Sequence, residues 1–177
     1  MPRLIFAATC SLDGYLAGPG GDMSWLTPHL GEENPHAERL LAGTGALLVG
    51  RRTYDGDDPN RGTEQEGAFG GQYDGAVVVL THRPPADAPP DVTFATDLAT
   101  AVETARDAAG SREYVNVLGA DVARQCLEAG VLDEILVFFA PVLLRGGTRM
   151  FAATGGPQVD LEPATADAGV HWYRVRR

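Results

Sequence analysis

Ala46-Leu-Leu-Val-Gly-Arg-Arg-Thr-Tyr54 passes within a few residues from an apolar run to a glycine, two arginines and a hydroxyl. Four apolar residues in succession suit a strand covered on both faces, although a run this short also fits a piece of buried helix. Gly50 lets the backbone come close to a ligand. The planar forks of Arg51 and Arg52, expected to face opposite ways, match phosphate oxygens, and the Thr53 hydroxyl with nearby amides can complete a cradle. The competing reading is a strand end followed by a solvated basic turn.

Outward from this stretch, strand and helix patterns alternate. Upstream, Leu4–Cys10 reads as a buried first strand. Ser11–Asp22 follows, too rich in glycine for regular structure throughout and expected to be a mobile lid. Met23, Trp25 and Leu26 return it to the core or to a pocket wall. Pro35 to Leu41 reads as a short helix stopped by Gly43. Downstream, Asp55 to Gly75 is acidic and glycine-rich, an exposed loop in which Phe69 and Tyr73 pack locally. Ala76–Thr81 is the next buried strand, followed by the basic step His82-Arg-Pro-Pro85.

Val92–Ala95 is a minor strand, and Asp97 caps a helix whose Leu98, Ala101, Val102, Ala105 and Ala109 form one stripe. Tyr114–Leu118 is a strand, Gly119-Ala-Asp121 turns into a second helix closed by Gly130, and Glu134–Ala140 is a strand stopped by Pro141. Val170–Val175 alternates and is expected to be the last edge strand. The fold class is therefore α/β, a mixed and mainly parallel twisted sheet with flanking helices and an antiparallel C-terminal edge.

The length of 177 residues, 44% of them hydrophobic, fits one domain over 1–177 with a sizeable core. No apolar run approaches the roughly 18 residues that span a bilayer, and no signal pattern is evident, so a soluble cytoplasmic protein is expected. A net charge of −10 opposes binding to nucleic acid or to an anionic membrane surface. An anionic small molecule would need a local basic patch. All the basic residues are arginine, which excludes a lysine Schiff base. Cys10 and Cys126 lack metal or redox spacing and read as buried free thiols, and His29, His36, His82 and His171 show no metal-ligand spacing either.

Three strand ends carry polar groups or glycine: Gly50-Arg-Arg-Thr53, Thr81-His-Arg83 and Gly119-Ala-Asp121. Ligands of open sheets with crossovers bind outside the carboxyl ends of strands, so the three can converge on one anion. The Gly119 turn feeds a helix start whose amides suit a pyrophosphate; its plainer reading is an ordinary turn with Asp121 near the helix start. A Gly-x-Gly-x-x-Gly fingerprint is absent.

Ser11-Leu-Asp-Gly-Tyr-Leu-Ala17, Leu48-Val-Gly-Arg-Arg-Thr-Tyr54, Val79-Leu-Thr-His-Arg-Pro-Pro85, Val117-Leu-Gly-Ala-Asp-Val-Ala123 and Ala140-Pro-Val-Leu-Leu-Arg-Gly-Gly147 together resemble the dihydrofolate-reductase-like superfamily. Within it, the chain is most similar to stand-alone relatives of the reductase domain of the bifunctional riboflavin-biosynthesis deaminase-reductase. The resemblance implies an NADPH-dependent reductase of a small heterocyclic or carbonyl substrate, with reduction of 5-amino-6-(5-phosphoribosylamino)uracil as the assigned guess. It also implies a homodimer, for which Leu136, Phe138, Phe139, Val170, Trp172 and Tyr173 offer apolar surface.

Carried over by motif, the resemblance places Thr9, Leu16 and Ala17 at the nicotinamide and Gly50, Arg51 and Thr53 at phosphates. Thr81, His82 and Arg83 take the adenosine end, and Gly119, Ala120, Asp121 and Val122 the pyrophosphate. Ala120 stands where the family usually has a second glycine, often at a cis peptide. Trp25 would meet substrate, and FMN is an alternative cofactor. Asp13 is the carboxylate nearest the nicotinamide and the candidate proton donor, though Asp-Gly is also a common turn pair. The stretch after Trp25 lacks the carboxylate of dihydrofolate reductases, with Glu32 and Glu33 too far on, which demotes folate reduction. A deaminase zinc signature is absent. The remaining rival is a nucleotide-binding protein of the same fold without turnover.

Overall fold

The computed structural model describes residues 1–30, 34–152 and 155–176. Its elements in order are β1 (Arg3–Ser11), β2 (Tyr15–Ala17), α1 (Pro35–Gly43), β3 (Thr44–Gly50), α2 (Arg51–Tyr54), β4 (Ala76–Leu80), β5 (Val92–Ala95), α3 (Leu98–Ala109), β6 (Tyr114–Leu118), α4 (Ala120–Glu128), β7 (Glu134–Ala140), β8 (Thr148–Arg149), β9 (Leu161–Asp167) and β10 (Val170–Val175). Two 3-10 turns, Pro19–Gly21 and Ser24–His29, lie between β2 and α1.

Eight strands form one sheet in the order β5-β4-β3-β6-β1-β7-β10-β9. The first six are parallel, and β10 and β9 are added antiparallel. The parallel strands are apolar on both faces because both faces are covered. Leu4, Phe6, Leu48, Val78 and Val117 face α3 and α4, whose Ala105, Val122 and Cys126 complete that cluster. Ile5, Ala7, Leu47, Val49 and Val79 face the opposite side, where Leu40 of α1 and Phe69 and Tyr73 of the 55–75 loop lie. Phe69 and Tyr73 pack locally as expected, their ring centroids 6.2 Å apart, and they also pack onto the sheet.

Helix boundaries follow the caps. Asn34 Oδ1 accepts the His36 and Ala37 amides ahead of Pro35, and Asp97 Oδ1 accepts the Thr100 amide. Among the described residues no helix is long and apolar enough to cross a membrane.

One expectation is corrected at the C-terminus. Val170–Val175 is not the edge strand: β10 lies between β7 and β9, and β9 is the edge. Leu161-Glu-Pro-Ala-Thr-Ala-Asp167 escaped notice because it is exposed and contains Pro163, features that suit an edge and hide a strand. Leu136, Val170 and Trp172 are buried within the chain, so only the half-buried Phe138, Phe139 and Tyr173 remain of the apolar set read as dimer surface.

Both cysteines are buried and free. Burial pushes the Cys10 thiol up to about 11, with Asp13 adding to it, and the Cys126 thiol up to about 12. Both stay protonated at neutral pH, so alkylating reagents should label neither until denaturant unfolds the chain, as mass spectrometry would show.

At the base of the sheet Glu134 is 3% exposed. Its carboxylate pairs with the Arg3 guanidinium and accepts the Trp172 indole N–H at 2.7 Å. Replacing Trp172 by Phe keeps most of the ring but removes one donor to a buried charge. The expected loss is about 1.5–3 kcal/mol, read as a lower urea midpoint.

Candidate functional site

The direction of the chain decides where a ligand fits. From β1 to β3 and from β3 to β4 it moves one way across the sheet, over the face that carries α1 and the 55–75 loop. From β5 through α3 to β6, and from β6 through α4 to β7, it moves the other way over the opposite face. Right-handed crossovers require this exchange of faces. The chain therefore leaves β3 and β6 on opposite sides, and a crevice opens between their carboxyl ends.

Close packing across that crevice is visible at two glycines. A Cβ on Gly119 would overlap the Thr53 hydroxyl, and one on Gly50 would lie 3.0 Å from Val122 Cγ2. Gly119 also has φ +97, a conformation that side chains resist. No side chain caps α4, whose first-turn amides are left for an anion or water. Asp121 does not compete for them, since its carboxylate accepts hydrogen bonds from Arg124 at 2.8 Å and Gln125 at 2.8 Å. Those bonds, Arg124 foremost, hold the Asp121 carboxyl below its usual range. Ala120 joins the turn through a trans bond, as every described peptide bond is trans.

Next to the crevice, Arg51, Thr81, His82 and Arg83 line one open cleft of about 440 Å³. Thr81 is buried and its Oγ1 accepts the Arg83 amide at 3.2 Å, which sets the turn that presents His82 and Arg83 to solvent. Arg51 Nε pairs with Asp55 one helical turn on, while the charge of Arg52 acts on Asp121. From β4 to β1 the strand ends span three inter-strand steps, about 14 Å, the scale of an extended dinucleotide.

Thr9 lies near the end of β1, Leu16 packs on the α3/α4 side and Ala17 is buried. The part of the loop that carries Leu16 and Ala17 is fastened to the 148–150 segment, so the expected lid is narrowed to the glycine-rich stretch that follows it. Tyr15 and Ala17 pair with β8, and the Met150 amide donates to the Gly14 carbonyl at 3.0 Å. Arg149 stacks over the Tyr15 ring at 4.8 Å. At Gly147, φ +117, a Cβ would overlap the Ala17 carbonyl, so the Gly146-Gly147 motif lets one loop lie on the other. Nothing in the sequence alone pointed to that role for the glycine pair.

Asp13 belongs to the same fastening. Its Oδ1 accepts the Ser11 hydroxyl at 2.6 Å and the Leu144 amide at 3.1 Å, and its Oδ2 accepts the Arg145 amide at 2.8 Å. The Ser11 hydroxyl, then the two amides, hold its carboxyl below the usual carboxylate value. An acid held in its ionised form is poorly placed to donate a proton. Trp25 is half-buried, and its indole N–H is enclosed without an acceptor among the described residues. His29 stays near Trp25, whereas His36 pairs with Asp167 at 2.7 Å against the edge of Trp172, away from the crevice. Glu32 and Glu33 lie outside the described residues. Among the described residues no group of three His, Cys, Asp or Glu side chains could hold a metal ion.

A carboxyl with a lowered folded pKa stabilises the fold above its unfolded value, and that contribution is lost as pH falls through the folded value. Asp13→Asn should therefore flatten the acid limb of thermal stability below about pH 4 and leave the slope near neutrality unchanged. Turnover should survive the substitution; its loss with unchanged melting would restore Asp13 as proton donor.

The chain matches the RibD C-terminal domain family over residues 2–170. The riboflavin biosynthesis protein RibD of Mycobacterium tuberculosis is 27% identical over 155 residues, 82% of this chain and 44% of that protein. Its counterpart from Corynebacterium ammoniagenes is 29% identical over 163 residues, 85% of this chain and 46% of that one. The chain thus spans about half the length of these curated relatives. A protein from Shewanella sp. PV-4, assigned provisionally to riboflavin biosynthesis, superposes with a TM-score of 0.78 at 20% identity, covering 99% of both chains. The deaminase and 5-amino-6-(5-phosphoribosylamino)uracil reductase of Thermotoga maritima gives 0.62 at 18% identity, covering 99% of this chain and 56% of that one. With the sheet order, the crevice and the match over nearly the whole chain in agreement, the protein belongs to the RibD C-terminal domain family.

Proposed function

We propose that the chain is an NADPH-dependent oxidoreductase of a small heterocyclic or carbonyl substrate, with 5-amino-6-(5-phosphoribosylamino)uracil as the assigned substrate. The observation that carries this reading is the cleft in which Arg51 and Arg83 meet beside the side-chain-free turn at Gly119. Two separate anion positions, an arginine pair and an uncapped helix start, suit a ligand with a terminal phosphate and a pyrophosphate. A mononucleotide such as FMN would use only one of them.

In this reading the phosphates are held by Arg51, Arg83 and the amides of α4, and the reactive ring lies beyond Gly119 toward Thr9. NADPH supplies the hydride. The residues of this chain hold the cofactor's position and exclude water around its reactive end. The substrate class comes from the family and from the activity named for the Thermotoga maritima relative. The rival, a nucleotide-binding protein without turnover, draws on the commitment of Asp13 to the loop. A homodimer belongs to the proposal through Phe138, Phe139 and Tyr173, and a monomeric mass at micromolar concentration would remove it.

Loss of reduced-nicotinamide absorbance on adding 5-amino-6-(5-phosphoribosylamino)uracil tests the enzyme reading directly; tight NADPH binding without oxidation would favour the rival. Cofactor choice is tested by Arg51→Ala and Arg83→Ala. If either guanidinium forks onto the 2′-phosphate, NADPH binding should weaken by about 1.5–3 kcal/mol, roughly ten- to a hundred-fold, with NADH little affected. Equal loss for both cofactors would move that arginine to the pyrophosphate.

A further inference from the structure

The sheet face beneath α1 and the 55–75 loop carries two apolar clusters, one built on Ile5, Ala7 and Leu136 and the other on Leu47, Val49 and Val79. Between them stands a polar side chain. Asn116 of β6 lies in register with Ile5 of β1 on one side and Leu47 of β3 on the other, and alternation puts its side chain on the face of Tyr114 and Leu118. It is 1% exposed, and its Oδ1 is enclosed without a hydrogen-bond partner. Native folds rarely leave a buried acceptor unpaired, and Asn116 stands on a central strand.

One side chain reaches both clusters. Phe69, half-buried on the 55–75 loop, packs against both clusters. It does so at φ +56, a conformation few residues with a side chain adopt, and Gly67, Gly70 and Gly71 around it also have positive φ. A phenyl ring that reaches both clusters brings no hydrogen-bonding group to the face that carries Asn116. Ala7 and Leu118 lie one pleat further toward the carboxyl ends of β1 and β6 on the same face, so the strip of sheet from Asn116 runs on toward Thr9.

We propose that Phe69 holds the place of the substrate's planar ring, and that Asn116 is the specificity-determining residue that reads that ring when the loop gives way. This rests on the reductase reading and adds to it the chemistry of the pocket floor. A carboxamide presents an acceptor and a donor in one plane, and it pairs through two hydrogen bonds with a ring that carries adjacent N–H and C=O groups. Uracil has such an edge. A pyrimidinedione has nearly the thickness and width of a phenyl ring, so it can take the place of Phe69 between the two clusters.

The test uses 5,6-diaminouracil as the probe and titrates it and NADPH separately into the full chain by calorimetry. Asn116→Leu should weaken the uracil at least about tenfold and leave NADPH unchanged, while the free protein melts no lower, because an apolar side chain replaces an unpaired amide. Asn116→Val serves if leucine overfills the site. Phe69→Ala should bind the uracil several-fold tighter, since the competing ring is gone, and hydrogen exchange at residues 67–71 of the wild-type protein should quicken when the uracil is added. Wild-type affinity in both Asn116 variants, unchanged or weaker binding in Phe69→Ala, or unchanged exchange would each overturn the inference. If the wild-type protein binds no uracil, a gain in Phe69→Ala supports the plug and no gain overturns it. The parallel NADPH titration keeps that outcome separate from the fate of the cofactor reading.

Discussion

A side chain at position 119 and the hydroxyl of Thr53 cannot occupy the same space, and the ligand end of the sheet depends on that exclusion. With glycine at 119, the turn after β6 closes on the turn after β3, and two strand ends that the chain leaves on opposite faces become one wall. The second contact, Gly50 against Val122, repeats the arrangement one layer away. Without these contacts the arginines after β3 and the free amides of α4 would belong to separate surfaces. With them, an anion can meet both.

The opposite end of the sheet is built for stability. Glu134, Arg3, Trp172, Tyr114 and Glu113 join the bases of β1, β6, β7 and β10 through charged hydrogen bonds and the stacking of Arg3 over Tyr114 at 5.0 Å. A buried carboxylate contributes little unless each partner stays in place, so this cluster ties the antiparallel strands to the parallel ones in a fixed register. The crevice opens at the carboxyl ends of the strands, and this network lies away from it.

The parallel strands were legible because burial on both faces writes itself as unbroken apolar runs, and the helices because Asn34 or Asp97 caps them and glycine stops them. The residues that line the cleft were legible as a group because arginine, glycine and hydroxyls are unusual directly after such runs. Edge strand β9 was not, since an exposed strand with a proline has no reason to look apolar. Asp13 showed its chemistry but not its partners: Leu144 and Arg145 lie far along the chain, and only the fold brings their amides to its carboxylate. Asn116 was passed over as one polar letter inside Tyr114-Val-Asn-Val-Leu118, and its meaning appears only when both neighbouring strands are in register around it.

An acidic protein that binds an anion must concentrate its positive charge without neutralising it. Arg51 is held by Asp55 through Nε, and among the described residues its terminal nitrogens make no hydrogen bond. Both side chains are well exposed, at 39% and 49%, so the pair adds at most about 1 kcal/mol to stability and is screened by salt. Its larger effect is geometric: a guanidinium fixed at one end presents its fork in a set direction and loses less rotamer freedom when a phosphate arrives. Arg83 reaches the same cleft from a turn set by the buried Thr81. In the proposed reading, the net charge of −10 opposes polyanions at a distance, while the local field of two arginines and a helix start would favour a single small anion at close range.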